Sequence, residues 1–398
     1  MKKFIKSWWF VIVLIVIYFI AANLLVLNRF WQFEVFYYDH GLYDSALWQV
    51  AHFQIPLIDH LESTFVRQFG DHFTPTLFLL SPLYWFTSRY EPILVIQNLI
   101  VSIAAFFLLL TAKDKIKSKL LVFAIILAFV GYIGLQNLLI SNLHTDSLAI
   151  FTLSVCFWAF EKKKNLIYWI AVILTLGSKQ NFFSIIIGLG IFAFLSNRKT
   201  TGVATALVAI FYYFLVTKLV IPTLGQHPYM YSVSLYSPKD MLTNFFLPTV
   251  KTNTIIVSLL TFGGLPLFAI TFLPTIVQDF FGRFVLSSSA RWDLGLHYNA
   301  TLSVLLAYGA IIGSHNLEKF SVFKRIAPFY AVVVIALVIY IHRFIYHGPL
   351  GLVYNPSFYS QTSNHDFLRD FLKKIPPSEL VMTHNNLASY LTHTNTVI

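Results

Sequence analysis

The sequence predicts an all-α protein that crosses a membrane many times. Apolar residues make up 57% of the 398 residues, charged residues only 11%, and the mean hydropathy is +0.70. Soluble domains carry about 45–50% apolar and about 25% charged residues, so this chain cannot cover its surface with polar groups. Apolar runs recur along the whole chain, which excludes a signal peptide or a single anchor. Helices satisfy their own backbone polar groups in lipid, so we expect the spans to be helical.

Short clusters of Lys and Arg beside the apolar runs set the expected orientation. More than half of the 28 Lys and Arg residues lie at 2–6, 113–119, 162–164, 198–199 and 319–325. Cytoplasmic loops of membrane proteins are enriched in these residues, which explains the net charge of +11 without nucleic acid as a partner. We therefore expect a cell-membrane protein with a cytoplasmic N-terminus, an extracytoplasmic C-terminus and an even number of crossings between successive clusters.

About eleven crossings satisfy this constraint for most of the intervals. The first crossing, 8–27, leaves the cytoplasm and leads into an outer loop with amphipathic helices at 28–72. The later crossings are expected at 92–111, 120–138, 146–160, 165–177, 182–195, 201–220, as a hairpin at 253–281, and at 298–314 and 327–345.

Two apolar runs need separate treatment. The hairpin run contains Gly263, Gly264 and Pro266, which predict two short helices in place of one span. A span at 73–88 would make the number of crossings between the basic clusters at 2–6 and 113–119 odd. We therefore expect a helix that lies at the outer leaflet or dips into it. The alternative is a true span, which would place the basic run 113–119 outside.

The chain changes character after the last crossing. We expect a transmembrane domain at 1–345 and an extracytoplasmic segment at 346–398. Residues 368–380, LRDFLKKIPPSEL, are typical of a short amphipathic helix that ends at paired prolines. Residues 380–398 then predict a strand, a loop, a helix and the start of a strand. We interpret this as the opening of a small α/β domain that is incomplete, as in a truncated gene or a fragment.

Acidic residues are concentrated in the first outer loop. Six of the 17 Asp and Glu residues and four of the 13 His residues lie within 28–72, well above an even distribution. Interleaved aromatic residues indicate a segment that lies on the membrane surface. The alternatives are a solvated loop and a functional site. The titratable residues are Glu34, Asp39, His40, Asp44, His52, Asp59, His60, Glu62, Asp71 and His72.

The stretch YYDHGLYDSALW predicts a helix start. Asp39 can occupy the cap, and Tyr43 follows four residues later. His40 and Asp44 share a helix face by the same spacing. A carboxylate is stabilised as the anion at a helix N-terminus, so Asp39 serves either structure alone or as a general base or metal ligand.

The stretch GDHFTPTLFLL has a similar form. Thr74 is expected to cap a helix, Pro75 suits its first position, and Asp71 and His72 precede it. Two Asp-His pairs on one membrane face make a reasonable acid–base or divalent-cation site. Asp71 and His72, with His227 as a further ligand, are the candidate metal set for Mg²⁺, Mn²⁺ or Zn²⁺.

Polar residues also interrupt apolar runs on the same predicted side. His144 and Asp146 lie at a helix entrance, where the alternative for Asp146 is a simple N-cap. Lys179 and Gln180 lie between two spans, and ionisable residues at membrane depth are candidates for function. Lys179 suits a phosphate as a point charge; the alternative is a side chain that extends to the headgroups.

A later stretch on the same side, SSSARWDLGLHYNATLS, adds three candidates. Arg291 and His297 could meet an anionic ligand, with Tyr298 beside them. An interfacial belt of Arg, Trp and Tyr is the alternative. The sequence shows no phosphate-binding Gly loop, dinucleotide fingerprint, nucleophile elbow or zinc-protease helix, and its single cysteine, Cys156, excludes a disulfide within the chain.

At YYDHGLYDSALWQVAH and FGDHFTPTLFLLSPLY the chain resembles a family of prokaryotic multi-pass membrane proteins, domain of unknown function 2079. Further similar stretches occur in the same order: LHTDSLAIFTLSVCFWAFEKKK, LGSKQNFF, GLHYNATLSVLLAYGA and IPPSELVMTHNNLASYLTHT. That family is similar to the GT-C superfamily of integral-membrane glycosyltransferases, which take a sugar from a polyprenyl-phosphate donor on the outer side of the membrane. The resemblance therefore implies a GT-C-like fold.

The resemblance also implies roles for individual residues. The catalytic Asp after the first transmembrane helix falls on Asp39, and a second acidic position falls on Asp71 and His72. This chain departs from the pattern at HFTPTL, which lacks the paired prolines, and at Gln180, where an acid is expected. The aromatic residues of the first loop, including Tyr43 and Trp48, would support the prenyl chain and stack on sugar.

The hypothesis is inverting transfer of a hexose or pentose from the polyprenyl-phosphate donor to a lipid, glycan or protein. Asp39 would take the acceptor proton. Asp71 and His72 would bind a divalent ion or orient the donor, with His144, Asp146 or His227. Lys179 or an Arg near 283–291 would offset the phosphate charge.

Two other functions remain open from the sequence. A transporter or lipid flippase would place polar residues along a path that reaches both membrane faces. A non-catalytic membrane protein would use the first loop to bind a partner. The candidate residues gather on one side of the membrane, which favours an enzyme of the outer face.

Overall fold

The chain folds into a bundle of α-helices. The computed structural model describes residues 2–58, 66–226, 228–231, 237, 239–285 and 288–397. In these residues the helices are α1 Lys2–Trp31, α2 Leu42–Ala51, α3 Gln68–Asp71, α4 Glu91–Lys115, α5 Lys119–Gly131, α6 Ile133–Ser141, α7 Asp146–Glu161, α8 Asn165–Leu176, α9 Phe183–Leu195, α10 Lys199–Leu215, α11 Ile221–Gly225, α12 Met241–Phe246, α13 Thr249–Thr261, α14 Leu273–Phe284, α15 Ala300–Leu317, α16 Ser321–Tyr340, α17 Ser363–Leu372 and α18 Asn385–Ala388.

Sheet structure is minimal. The four strands in the described residues have two residues each: β1 Leu57–Ile58, β2 Val66–Arg67, β3 Leu380–Val381 and β4 Thr396–Val397. The first pair is antiparallel and the second is parallel. The predicted all-α membrane class is therefore confirmed.

In the described part of the chain, five helices are long and apolar enough to cross a membrane. They are Phe4–Trp31, Glu91–Lys115, Lys199–Gly225, His297–Leu317 and Ser321–Ile345, and the pair Lys119–Gly131 and Ile133–Ile140, bent by 49°, adds a sixth if counted as one span. The helix His297–Leu317 is the central one, because 83% of its most apolar stretch is buried inside the bundle. Shorter helices occupy most of the other expected positions, and the count of eleven crossings stays a prediction.

The hairpin run 253–281 and the run 73–88 both form short helices. Gly263 and Gly264 adopt φ angles of +61° and +69°, which separate α13 from α14 and produce the expected hairpin of short helices. The run 73–88 contains a 3₁₀-helix of 9 residues, Leu77–Trp85. At about 2 Å per residue it reaches only about 18 Å, too short for a hydrocarbon core of about 30 Å.

The basic clusters meet at one end of the bundle. Lys115 lies 2.7 Å from Glu161, and Lys162 lies 2.6 Å from Asp114. Helix α7 runs from Asp146 to Glu161, so its two ends are about 24 Å apart. Residues near the start of α7 therefore lie at the opposite end of the bundle from the basic clusters. Other contacts that join the basic end are Lys119 over Trp8, the Lys117 backbone with Glu318, and Arg198 with the Phe160 carbonyl.

The expected cap at Thr74 is wrong. Its hydroxyl donates a hydrogen bond to the Gln68 side chain at 3.2 Å, and the 3₁₀-helix begins only at Leu77. The cause is a tertiary contact, because the Thr76 backbone N–H donates to the Gly177 carbonyl at 2.9 Å. This bond ties the turn before the helix to the end of α8.

The C-terminal residues pack against the first outer loop. The Tyr390 ring lies 4.5 Å from the Phe30 ring, and the Asn385 side chain accepts a hydrogen bond from the Tyr38 backbone at 2.9 Å. Strand β3, helix α18 and strand β4 follow the predicted order. Helix α17 begins earlier than its sequence pattern indicates, because Thr362 and His365 form a capping box.

Candidate functional site

A polar cavity of about 170 Å³ lies at the end of the bundle away from the basic clusters. It forms where α7 begins, where α8 passes into α9, and where α14 approaches the segment before α15. Five residues singled out from the sequence line it: His72, Asp146, Lys179, Arg291 and Tyr298. Residues distant in the chain therefore meet in one place, on the side that the acidic residues predict.

The cavity carries unpaired positive charge. Lys179 and Arg291 have no carboxylate partner among the described residues, whereas Arg283 is paired with Asp279 at 2.7 Å. Burial lowers the pKa of Arg291, and the charge of Arg283 lowers it further. Asp146 is largely buried and shares the cavity with these cations. The arrangement suits an anionic ligand that brings its own negative charge.

Asp39 sits in a strained turn beside a histidine pair. Its backbone has φ 77° and ψ −76°, close to the rare γ-turn. Helix α2 begins only at Leu42, so the expectation that Asp39 caps a helix is wrong. Such strain persists only where the surroundings enforce it, and it clusters at functional sites. The carboxylate is 42% exposed, and its Oδ1 lies 4.0 Å from His144 Nδ1.

His144 and His297 complete a compact group with Asp39. Their rings stack with centroids 3.9 Å apart, and one ligand atom from each of the three residues lies within 4.8 Å of the others. Burial, together with the charge of Lys179, lowers the pKa of His144 to about 3, so this imidazole is neutral at pH 7. A neutral imidazole keeps a lone pair for a metal or a proton.

Asp71 and His72 form a hydrogen-bonded group at the cavity. The Tyr231 hydroxyl donates to Asp71, and the Tyr231 ring lies 4.3 Å from the His72 ring. Gln180 lies 3.3 Å from His72 Nδ1 through its amide nitrogen, at the position where the resemblance expects an acid. His227, the third member of the expected metal set, lies outside the described residues.

The buried Tyr43 hydroxyl feels the charge of three carboxylates. Burial raises its pKa, and the charges of Asp39, Asp71 and Asp146 raise it further. All three carboxylates are therefore close enough to act on one buried hydroxyl. The phenol stays protonated at neutral pH and can donate a hydrogen bond among them.

Asp44 and Trp48 lie away from this group. Asp44 is fully buried, accepts a hydrogen bond from the Tyr84 hydroxyl, and lies 2.8 Å from His393 Nε2. Trp48 stacks on His393 with centroids 4.2 Å apart. Both residues, expected at the substrate site, hold the C-terminal segment in this structure.

Sequence reasoning missed Tyr231 and Asp279. Asp279 lies in an apolar stretch, and an acid in such a stretch is a usable signal. Tyr231 carries no comparable signal, because its partner Asp71 is 160 positions away in the chain.

Comparison with known proteins assigns the chain to a family. None of the curated proteins compared with it matches the chain. A family model described as a predicted membrane protein, domain of unknown function 2079, matches residues 29–398. This range contains all but the first residue of the first outer loop and every residue that lines the cavity. The match covers nearly the whole chain, and the protein therefore belongs to this family of predicted membrane proteins.

Proposed function

We propose that the protein is a membrane glycosyltransferase that moves a sugar from a polyprenyl-phosphate donor to a lipid, glycan or protein hydroxyl at the outer face. The observation that carries the proposal is the cavity at the end away from the basic clusters, where buried carboxylates lie beside Lys179 and Arg291, two cations without a carboxylate partner in the described part of the chain. The resemblance to GT-C enzymes supplies the donor class. Both lines of reasoning point to the same end of the bundle, and His72 belongs to both sets of residues.

The cations match the phosphate of such a donor. During transfer, negative charge accumulates on the phosphate oxygen that leaves the sugar, and fixed cations in a water-poor site stabilise that charge. Lys179 acts as a point charge, and the guanidinium of Arg291 can form two parallel hydrogen bonds. Both can pair with an anionic ligand, because neither has a carboxylate partner among the described residues.

Asp39 is the proposed general base. The acceptor oxygen forms a bond to the anomeric carbon, and the bond between that carbon and the phosphate oxygen breaks. The phosphate leaves with the bonding electron pair, and Asp39 takes the acceptor proton. Its partly exposed carboxylate can reach an acceptor from outside, while the buried residues of the cavity bind the donor.

The packing of the bundle favours an enzyme over a transporter. Between the cavity and the basic end, the Tyr308 ring stacks 4.2 Å from Phe157 and lies 4.8 Å from Phe272. The Phe192 ring is 5.1 Å from Phe272. These rings fill the core with apolar atoms, whereas a transporter needs a polar path that reaches both faces.

Replacing Lys179 with Met should lower transfer about 100-fold, because the phosphate then leaves without one of the cations that line the cavity. The purified protein in lipid nanodiscs is incubated with polyprenyl-phosphate-linked hexoses and pentoses and a membrane extract as the acceptor source. Release of free polyprenyl phosphate is followed by mass spectrometry. Lys218→Met, which removes an exposed lysine, is the matched control and should keep the wild-type rate.

Two results would overturn the proposal. One is equal release of polyprenyl phosphate by Lys179→Met and wild type. The other is no release from any donor by the folded wild-type protein, together with movement of labelled lipid across reconstituted vesicles, which would identify a flippase.

A further inference from the structure

The group formed by Asp39, His144 and His297 has the composition of a metal site. Two imidazoles and one carboxylate converge from three separate parts of the chain, with one ligand atom of each within 4.8 Å of the others. His144 is 3% exposed at its side chain. Its Nε2 atom is buried and has no hydrogen-bond partner in the described part of the chain. A buried ring nitrogen is costly when it is left unsatisfied; the other ring nitrogen, Nδ1, is the one that lies 4.0 Å from Asp39.

The geometry is close to what a small cation needs. Zinc binds imidazole nitrogen and carboxylate oxygen at about 2.0–2.2 Å, so ligand atoms around one ion lie roughly 3.3–3.6 Å apart in a tetrahedral arrangement. The present spacing is up to 4.8 Å, and the two imidazole rings are stacked, so binding one ion requires at least one ring to rotate until both nitrogen lone pairs point at the ion. The exposed side of Asp39 leaves a further coordination position facing outward.

We propose that Asp39, His144 and His297 bind a divalent transition-metal ion of the zinc class, with one coordination position open to water or an acceptor hydroxyl. Binding by these residues does not depend on the proposed function. A role of the ion in catalysis does rest on the proposed function. A metal-bound hydroxyl loses its proton more readily, which would assist the acceptor in the reaction proposed above. Asp39 offers two oxygen atoms, so one can bind the ion while the other stays available.

The donor set selects the class of ion. Imidazole nitrogen favours Zn²⁺, Fe²⁺ and related ions, whereas Mg²⁺ requires oxygen ligands and retains several waters. The set expected from the sequence, Asp71 and His72, is less suited. Asp71 already accepts the Tyr231 hydroxyl, and His72 Nδ1 already faces the Gln180 amide and the Asp71 carbonyl.

Metal content and cobalt spectroscopy test the site. The full-length protein is purified without a histidine tag, loaded with Zn²⁺ and dialysed, and the bound ion is measured by mass spectrometry. Co²⁺ replaces Zn²⁺ in a second sample, where a site with nitrogen ligands shows visible absorption bands. We expect one ion per chain in wild type, and loss of the ion and of the bands in His297→Ala and Asp39→Asn. His384→Ala, which removes an exposed histidine, should retain both.

Thermal unfolding of each variant separates a misfolded sample from a metal-free one. Asp39→Asn preserves the side-chain shape and keeps the test valid if His297→Ala does not fold. A wild-type protein that binds no ion at micromolar Zn²⁺, or folded variants that keep the ion, would overturn the inference. An assay in the presence of a metal chelator separates the two proposals. If sugar transfer continues there, the proposed function stands and the metal has no role in the transfer.

Discussion

Asp39→Asn is expected to lower sugar transfer about 10²- to 10⁴-fold, the range for loss of a positioned general base. The amide has nearly the same shape as the carboxylate but cannot take the acceptor proton. Asn also tolerates positive φ better than most residues, so the turn at φ 77° should persist. The initial rate of polyprenyl-phosphate release from nanodisc samples measures the effect.

Glu34→Gln provides the matched control for Asp39→Asn. Glu34 lies in the same outer segment and is exposed, with only a surface contact to Arg29 at 3.5 Å. Its loss should leave the rate unchanged, because such contacts contribute about 0–1 kcal/mol. Equal rates for Asp39→Asn and wild type, with both folded, would remove Asp39 from the reaction.

Asp44→Ala is expected to destabilise the docked C-terminal segment by about 1–3 kcal/mol, the cost of leaving buried polar partners unsatisfied. Asp44 is fully buried and lies 2.8 Å from His393 Nε2. The His393 ring is held between Trp48 and Tyr90, at 4.2 and 4.0 Å. Without Asp44, this imidazole loses its acceptor inside an apolar enclosure.

Hydrogen exchange of residues 380–397 measures the effect of Asp44→Ala. Protection should fall in this segment and in α2, while the central helix α15 keeps its protection. Asp370→Ala is the control, because the Asp370 side chain is 70% exposed and its contact with Lys373 lies at the surface. Unchanged protection in the folded Asp44→Ala protein would contradict the role assigned to the pair.

Acid should release the same segment. Burial by itself would raise the pKa of Asp44, but the nearby His393 and the hydrogen bond from Tyr84 outweigh it, and the pKa lies below its ordinary value. Stabilisation from Asp44 is therefore complete above the ordinary Asp value of about 3.9 and is lost as the pH falls through the lower folded-state pKa. Exchange measured from pH 6 to pH 3 should show loss of protection only in the acid range, and Asp44→Asn should remove this dependence.

The candidate site was partly predictable from sequence. Asp39, Asp146 and Lys179 were identifiable because each charged residue interrupts or borders an apolar run, where a charge is energetically costly and therefore indicates a functional role. Asp44 also borders an apolar run, but its carboxylate contacts the C-terminal segment and not the candidate site. Its sequence environment cannot show that His393, near the other end of the chain, supplies the compensating contact.

The sequence by itself determined the membrane class, the positions of most helices and the end of the bundle at which the candidate residues gather. These properties depend on local composition and periodicity, which each segment carries independently of its neighbours. Only the tertiary structure decided which polar residues meet. It joined His144 and His297 to Asp39 and placed Tyr231 beside Asp71, whereas Asp44 was assigned to the C-terminal contact. Such contacts depend on how helices pack in three dimensions, because a buried charge is compensated by whichever group lies beside it in space.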